Sequence, residues 1–195
     1  YVTLEHAEQN FIALKKLKVK VIDFTGGEPL LHREIDKILA LAKKYGFITT
    51  VTTNSLLYPK WAERIRGLVD MLHFSLDSVN ESLHNISRNV NCFNHLQSSI
   101  ILAKSLGEKP DILFTVTESN ISELDELHQT YALGKDLVVI VNPIFEYNGI
   151  GTGLDDESLS ILSKFGRKKN VYLNDAFVSL RKDGGNHIDN PVCKA

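Results

Sequence analysis

Residues 21–35 read VIDFTGGEPLLHREI. A β-favouring apolar run ends in Thr25-Gly26-Gly27-Glu28-Pro29, and Ile35, Ile38, Leu39 and Ala42 then repeat at i, i+3, i+4, i+7. That is a strand, a tight loop and an amphipathic helix in succession. Gly46 is a natural stop for the helix. The alternation extends in both directions. Phe11, Leu14 and Leu17 mark a helix ahead of a first strand, Val19–Phe24. Further strands are expected at Phe47–Thr53, Met71–Leu76, Ile112–Thr117 and Leu137–Phe145, with a weaker one at Val171–Leu173. Helical spacing returns at Leu96, Ile100 and Ala103 before Gly107, then at Leu124, Leu127 and Tyr131, then at Leu159, Leu162 and Phe165. Asn120 and Glu123 read as an N-cap and third helical residue, and Asp155 and Asp156 as another helix entry. Most of the strands are near-continuous apolar runs rather than alternating ones, as strands covered on both faces should be. Strand–helix repeats of this kind predict parallel strands with right-handed crossovers. Five or six such units favour an α/β fold of the (β/α) TIM-barrel or partial-barrel type.

Composition narrows the function. The chain has 195 residues, with 22 Lys+Arg against 24 Asp+Glu and a net charge of −2. So weak a negative balance argues against nucleic acid as the main partner, because phosphate binding needs a basic face. No stretch approaches the roughly 18 uninterrupted apolar residues of a membrane span. The two cysteines, Cys92 and Cys193, make no disulfide framework, which favours a reducing, cytoplasmic compartment. No low-complexity tract or linker divides the chain before Lys182. Residues 1–181 therefore read as one core, and residues 182–195, KDGGNHIDNPVCKA, as the start of an extension.

Polar residues follow the strands in series. Thr25–Pro29 follows the first, Thr53-Asn54-Ser55 the second, Ser75-Leu76-Asp77-Ser78 the third, Thr117-Glu118-Ser119 the fourth and Asn142-Pro143 the fifth. In a (β/α) fold these ends share one rim, where sites are built. Five in series point to one ligand pocket. Gly26 and Gly27 let the backbone take positive φ and approach a ligand without a Cβ in the way. Pro29 holds Glu28 extended, giving its carboxylate and the neighbouring carbonyls a fixed direction. A loop of acceptors suits a cationic amine better than a phosphate; a plain strand-to-helix turn is the blander alternative.

At these residues the chain resembles the radical S-adenosylmethionine (radical SAM) superfamily, from about Val19 to Asn142. VIDFTGGEPLLHREI looks like the family's GGEP motif, and TTN (residues 52–54) like the polar end of its third strand. HFSLDS, with Arg88 in NISRNVNCF, resembles its fourth strand and the following helix. ILFTVTESNISEL is similar to its fifth. The resemblance implies a partial barrel, of (β/α)6 type with the first strand and cluster loop missing. It implies an enzyme that cleaves S-adenosylmethionine reductively at a [4Fe–4S] cluster, giving a 5′-deoxyadenosyl radical that removes hydrogen from a substrate. Gly26, Gly27, Glu28 and Pro29 would take the cofactor's amino group. Ser75, Asp77 and Arg88 would reach its ribose and methionine carboxylate, with Thr53, Asn54 and Thr117 completing the cofactor rim. A small-molecule or peptide substrate is implied, in peptide modification or cofactor biosynthesis, with an electron donor such as flavodoxin or ferredoxin.

Alternatives stay open residue by residue. Ser75 and Asp77 could end a strand and cap a helix, and Arg88 could be a solvated charge. Cys92 reads as a small buried residue. His73, His84 and His187 show no ligand spacing. Ser55 and Ser78 stand where the family often has glycine. The family's CxxxCxxC cluster motif is not in this sequence, and its expected place is upstream of Tyr1. PVCKA resembles the opening of a C-terminal extension that holds auxiliary iron–sulfur clusters, which would make Cys193 a metal ligand; a stray thiol is the alternative. Two rival functions remain. One is an aldolase or phosphate-binding isomerase on a (β/α) barrel, for which neither a late glycine-rich phosphate loop nor a strand-end lysine is found. The other is a non-catalytic binding module of the same fold, lacking the cluster.

Overall fold

A computed structural model of the chain describes residues 2–144, 154–174, 178 and 179. Six strands take the order β1-β2-β3-β4-β5-β6 in one sheet, alternating with helices. This is the α/β class expected from the repeats. The chain divides into two compact units, Tyr1–Leu113 and Phe114–Ala195.

The first unit runs α1 (Leu4–Lys16), β1 (Val21–Phe24), α2 (Ile35–Lys44), β2 (Ile48–Thr53), α3 (Tyr58–Ile65), β3 (Met71–Leu76), α4 (Glu81–Arg88) and α5 (Phe93–Ser105). β4 (Asp111–Val116) begins in this unit and ends in the next. β1 pairs with β2 in parallel, Asp23 beside Thr50, and β2 pairs with β3 in parallel, Thr52 beside His73. Three helices of this unit close in the same way. After α2 the N–H of Phe47 bonds back to Ala42 O and that of Gly46 to Lys43 O, with Gly46 at φ +73°. Val19 and Lys18 repeat the pattern after α1, and Glu108 and Gly107 after α5. This double bond across a left-handed residue satisfies carbonyls the helix end would otherwise orphan. It also takes up the first residues expected in the strands, so β1 starts at Val21 and β2 at Ile48.

The core of this unit sits where α1 and α2 cover β1. Ala7, Phe11, Ile38, Ala42 and Phe47 are buried together, with Ile22 and Phe24 packed against them. Phe11 lies 5.6 Å from the ring of Phe47 and 6.3 Å from that of Tyr45, both tilted. α3 was not expected from the sequence, although Tyr58, Trp61, Ala62 and Ile65 are spaced as one helix face and all are buried.

The second unit runs through a 3-10 turn (Ile121–Glu123), α6 (Leu124–Leu127), a π-helical turn (His128–Leu133), β5 (Val139–Pro143), α7 (Asp156–Phe165) and β6 (Val171–Leu173). Val139 and Val171 align in the parallel β5–β6 pair. Asp155 caps α7, accepting the Ser158 N–H at 2.8 Å, as its position suggested. Asn120 does something else. Its side chain accepts from Thr117 N at 2.8 Å and donates to Thr115 O at 2.9 Å, without capping the turn that follows. Phe145, residues 182–195 and Cys193 lie outside the described residues.

Phe11 is 5% exposed and anchors α1 through two aromatic contacts. Phe11→Ala should lower the unfolding free energy by about 3–5 kcal/mol, the usual cost of emptying such a site. Urea denaturation of the two forms measures it; a loss under about 1 kcal/mol would mean that α1 is not anchored there.

Candidate functional site

The loop after β1 is shaped by two left-handed glycines, Gly26 at φ +84° and Gly27 at φ +52°. A Cβ at either position would meet nothing within 4 Å, so the backbone conformation, not crowding by the protein, calls for glycine. Glu28 follows in extended conformation at φ −128°, and Pro29 opens a 3-10 turn, Pro29–Leu31.

The Glu28 carboxylate is committed to the protein's own donors. Its Oε1 accepts from Leu30 N at 3.0 Å and from the Thr53 hydroxyl at 2.7 Å, while Oε2 accepts from Asn54 N at 2.9 Å. A carboxylate offers about four acceptor positions, so one on Oε2 is left. Thr53 in turn accepts from Ser55 N at 3.1 Å, and Asn54 Oδ1 takes the Leu56 N–H at 3.0 Å. Ser55 sits at φ +64°, a conformation glycine would adopt at lower cost. Its carbonyl is held by Ser99 Oγ at 3.0 Å.

The end of β3 forms a second network. Asp77 Oδ1 accepts from Arg88 Nη2 at 2.6 Å, and Oδ2 accepts from Ser87 Oγ at 3.0 Å. The Asp77 backbone N–H donates to His84 Nδ1 at 3.1 Å, and His84 Nε2 lies 3.3 Å from Cys92 Sγ. Arg88 Nε is buried and has no hydrogen-bond partner among the described residues. Asn85 Oδ1 receives both Cys92 N and Phe93 N, at 2.9 and 3.0 Å, and so fixes the start of α5. Ser75 is 7% exposed, and its hydroxyl makes no hydrogen bond among the described residues.

The structure therefore brings Glu28 together with Thr53 and Asn54, and Asp77 together with Arg88. In the second unit Thr117 Oγ1 lies 2.7 Å from Ser119 Oγ. His84 shows no ligand spacing in the sequence and was assigned no role there, and Ser87 was not singled out. The usable signal was His84 four residues before Arg88, a spacing that puts both on one face of α4. Among the described residues no three His, Cys, Asp or Glu side chains are grouped to hold a metal ion. No described helix is long and apolar enough to cross a membrane.

Burial is the main cause holding His84 below its ordinary 6.5; the Arg88 charge adds to this and Asp77 opposes it. Burial likewise pushes the Cys92 thiol up. Because the folded state disfavours the charged ring, the stability His84 contributes is complete above 6.5. It is lost as pH falls below 6.5 through the lower folded value. Urea midpoints between pH 7.5 and 5 should fall more steeply for the wild type than for His84→Gln; parallel curves would place the titration elsewhere.

The sequence pattern of the Radical SAM superfamily matches residues 1–131. An S-adenosylmethionine-dependent nucleotide dehydratase of a Thermoplasmatales archaeon (strain ISO4-H5) is 37% identical over 70 residues, 35% of this chain and 25% of that protein. A GTP 3′,8-cyclase of Clostridium botulinum (strain Hall) is 32% identical over 140 residues, 70% of this chain and 43% of that protein. The chain thus spans less than half the length of these curated relatives. Among solved structures, Streptococcus suis SuiB bound to S-adenosylmethionine superposes with a TM-score of 0.67 at 19% identity, over 89% of this chain and 43% of that one. Native anSMEcpe with bound AdoMet gives 0.67 at 17%, over 94% and 58%. Likeness at that identity bears on the fold, parallel strands alternating with helices as in the family's partial barrels. With its family pattern spanning residues 1–131, the chain belongs to the radical SAM superfamily.

Proposed function

We propose that the chain is the cofactor-binding part of a radical SAM enzyme, with S-adenosylmethionine held by the loops after β1, β2 and β3. The observation that carries the reading is the pair of networks built on Glu28 and Asp77. The carbonyls of the Gly26–Gly27 loop and the remaining position on Glu28 Oε2 suit an ammonium group, which only donates. Arg88 uses one donor on Asp77, and its fork fits a carboxylate such as that of the methionine moiety. The Ser75 hydroxyl, without a hydrogen-bond partner among the described residues, suits a ribose. Pro29, Thr53 and Asn54 act by holding Glu28 and the loop, and Thr117 is assigned on its motif alone.

S-adenosylmethionine and a [4Fe–4S] cluster are the family's cofactors, and together they supply a carbon-centred radical that removes hydrogen from a substrate. These 195 residues hold two cysteines, of which Cys92 is buried against His84, so they do not themselves furnish three thiolates. The non-catalytic reading draws on that observation. Relatives named for GTP cyclisation and nucleotide dehydration favour a small-molecule substrate over a peptide, and cofactor biosynthesis over peptide modification. We assign a cytoplasmic setting, an electron donor of the flavodoxin or ferredoxin type, and Cys193 to an auxiliary cluster.

The full-length protein, reconstituted anaerobically with iron and sulfide and supplied with dithionite, should release 5′-deoxyadenosine from S-adenosylmethionine. Chromatography detects it, and absence of the product from cluster-loaded protein would leave the binding-module reading. Glu28→Ala should act twice. It orphans three donors, costing about 1–3 kcal/mol of stability, and it weakens cofactor binding by roughly tenfold. Thermal melts and calorimetry read the two effects separately; unchanged affinity would make residues 25–29 a structural turn.

A further inference from the structure

His84 takes no part in the proposed cofactor contacts, yet it is fully buried with both ring nitrogens engaged. Nδ1 accepts the Asp77 N–H and is therefore bare. The neutral ring carries its proton on Nε2, aimed at Cys92 Sγ. The ring also lies edge-on to Phe93, with centroids 5.7 Å apart. One helical turn later, Ser87 and Arg88 bond the two carboxylate oxygens of the same Asp77. α4 thus grips Asp77 at three points, its backbone through His84 and its carboxylate through Ser87 and Arg88.

A ring that only filled space would not place an acceptor on one side and a donor on the other. Buried polar atoms are costly unless bonded, and here each nitrogen has a separate partner. We propose that His84 is a positioning residue for S-adenosylmethionine. By holding the Asp77 N–H it sets the end of β3, and through Asp77 it aims the Arg88 guanidinium at the cofactor's carboxylate. The inference rests on the reading of these loops as the cofactor site.

Its test is a set of calorimetric titrations of S-adenosylmethionine into the reconstituted full-length protein. His84→Phe keeps an aromatic ring beside Phe93 but removes both polar atoms, and should weaken binding about tenfold. His84→Asn restores an acceptor and a donor and should stay within about threefold of wild type. In the Asp77→Asn background, His84→Phe should add no further loss, because its effect passes through Asp77. Wild-type affinity in His84→Phe, or a loss that multiplies independently with Asp77→Asn, overturns the proposal. If wild type does not bind, or Asp77→Asn binds as wild type does, the cofactor-site reading fails and the proposal with it. Should His84→Phe not fold, nitrogen-15 spectra of the histidine-labelled wild type decide: a bare Nδ1 with protonated Nε2 is expected, and a proton on Nδ1 overturns it.

Discussion

The candidate site depends first on where the Glu28 carboxylate points. It ties the turn after β1 to the end of β2, taking one N–H from its own 3-10 turn and two donors from Thr53 and Asn54. A charged acceptor with three short bonds is among the stronger polar anchors available. Ser55 is held in a left-handed conformation beside it, its N–H on the Thr53 hydroxyl that donates to Glu28. The glycines can then present carbonyls on a loop whose far side is fixed.

The network at the end of β3 works through a different balance. Asp77 and Arg88 are partly shielded, so their ion pair keeps more of its strength than a surface pair would. The neighbouring His84 is neutral because burial opposes charging and Arg88 reinforces that. A charged His84 would lose its acceptor for the Asp77 N–H and stand beside a guanidinium. The cation on the same helix face is balanced by Asp77, and burial of the ring keeps a second charge disfavoured beside it.

Much of the fold was legible in the sequence, for identifiable reasons. Met71–Leu76 and Val171–Leu173 are β-favouring stretches bounded by Asp70 and Asp77 and by Asn170 and Asn174, and they match β3 and β6 residue for residue. Val19–Phe24 and Phe47–Thr53 began early because a helix closure consumes Val19 and Phe47, which a propensity argument cannot see. α3 went unnoticed although its spacing is regular, since Pro59 in its first turn looks like a breaker until the helix start is known. Asn120 stood where a cap belongs, but its side chain turns back to Thr115 and Thr117. At the site, Gly26-Gly27-Glu28-Pro29 announced a special loop by composition alone. Contacts such as Arg88 on Asp77, or Thr53 on Glu28, depend on how α4 and β2 approach, and no local pattern encodes that.

The most direct measurement is a crystal structure of the reconstituted full-length protein with S-adenosylmethionine bound. The account predicts the methionine amino group within hydrogen-bond distance of the Gly26–Glu28 loop and the carboxylate on the Arg88 guanidinium, with Asp77 still bonded to Arg88. Cofactor density away from the ends of β1 and β3, with both networks unchanged and untouched, would contradict it.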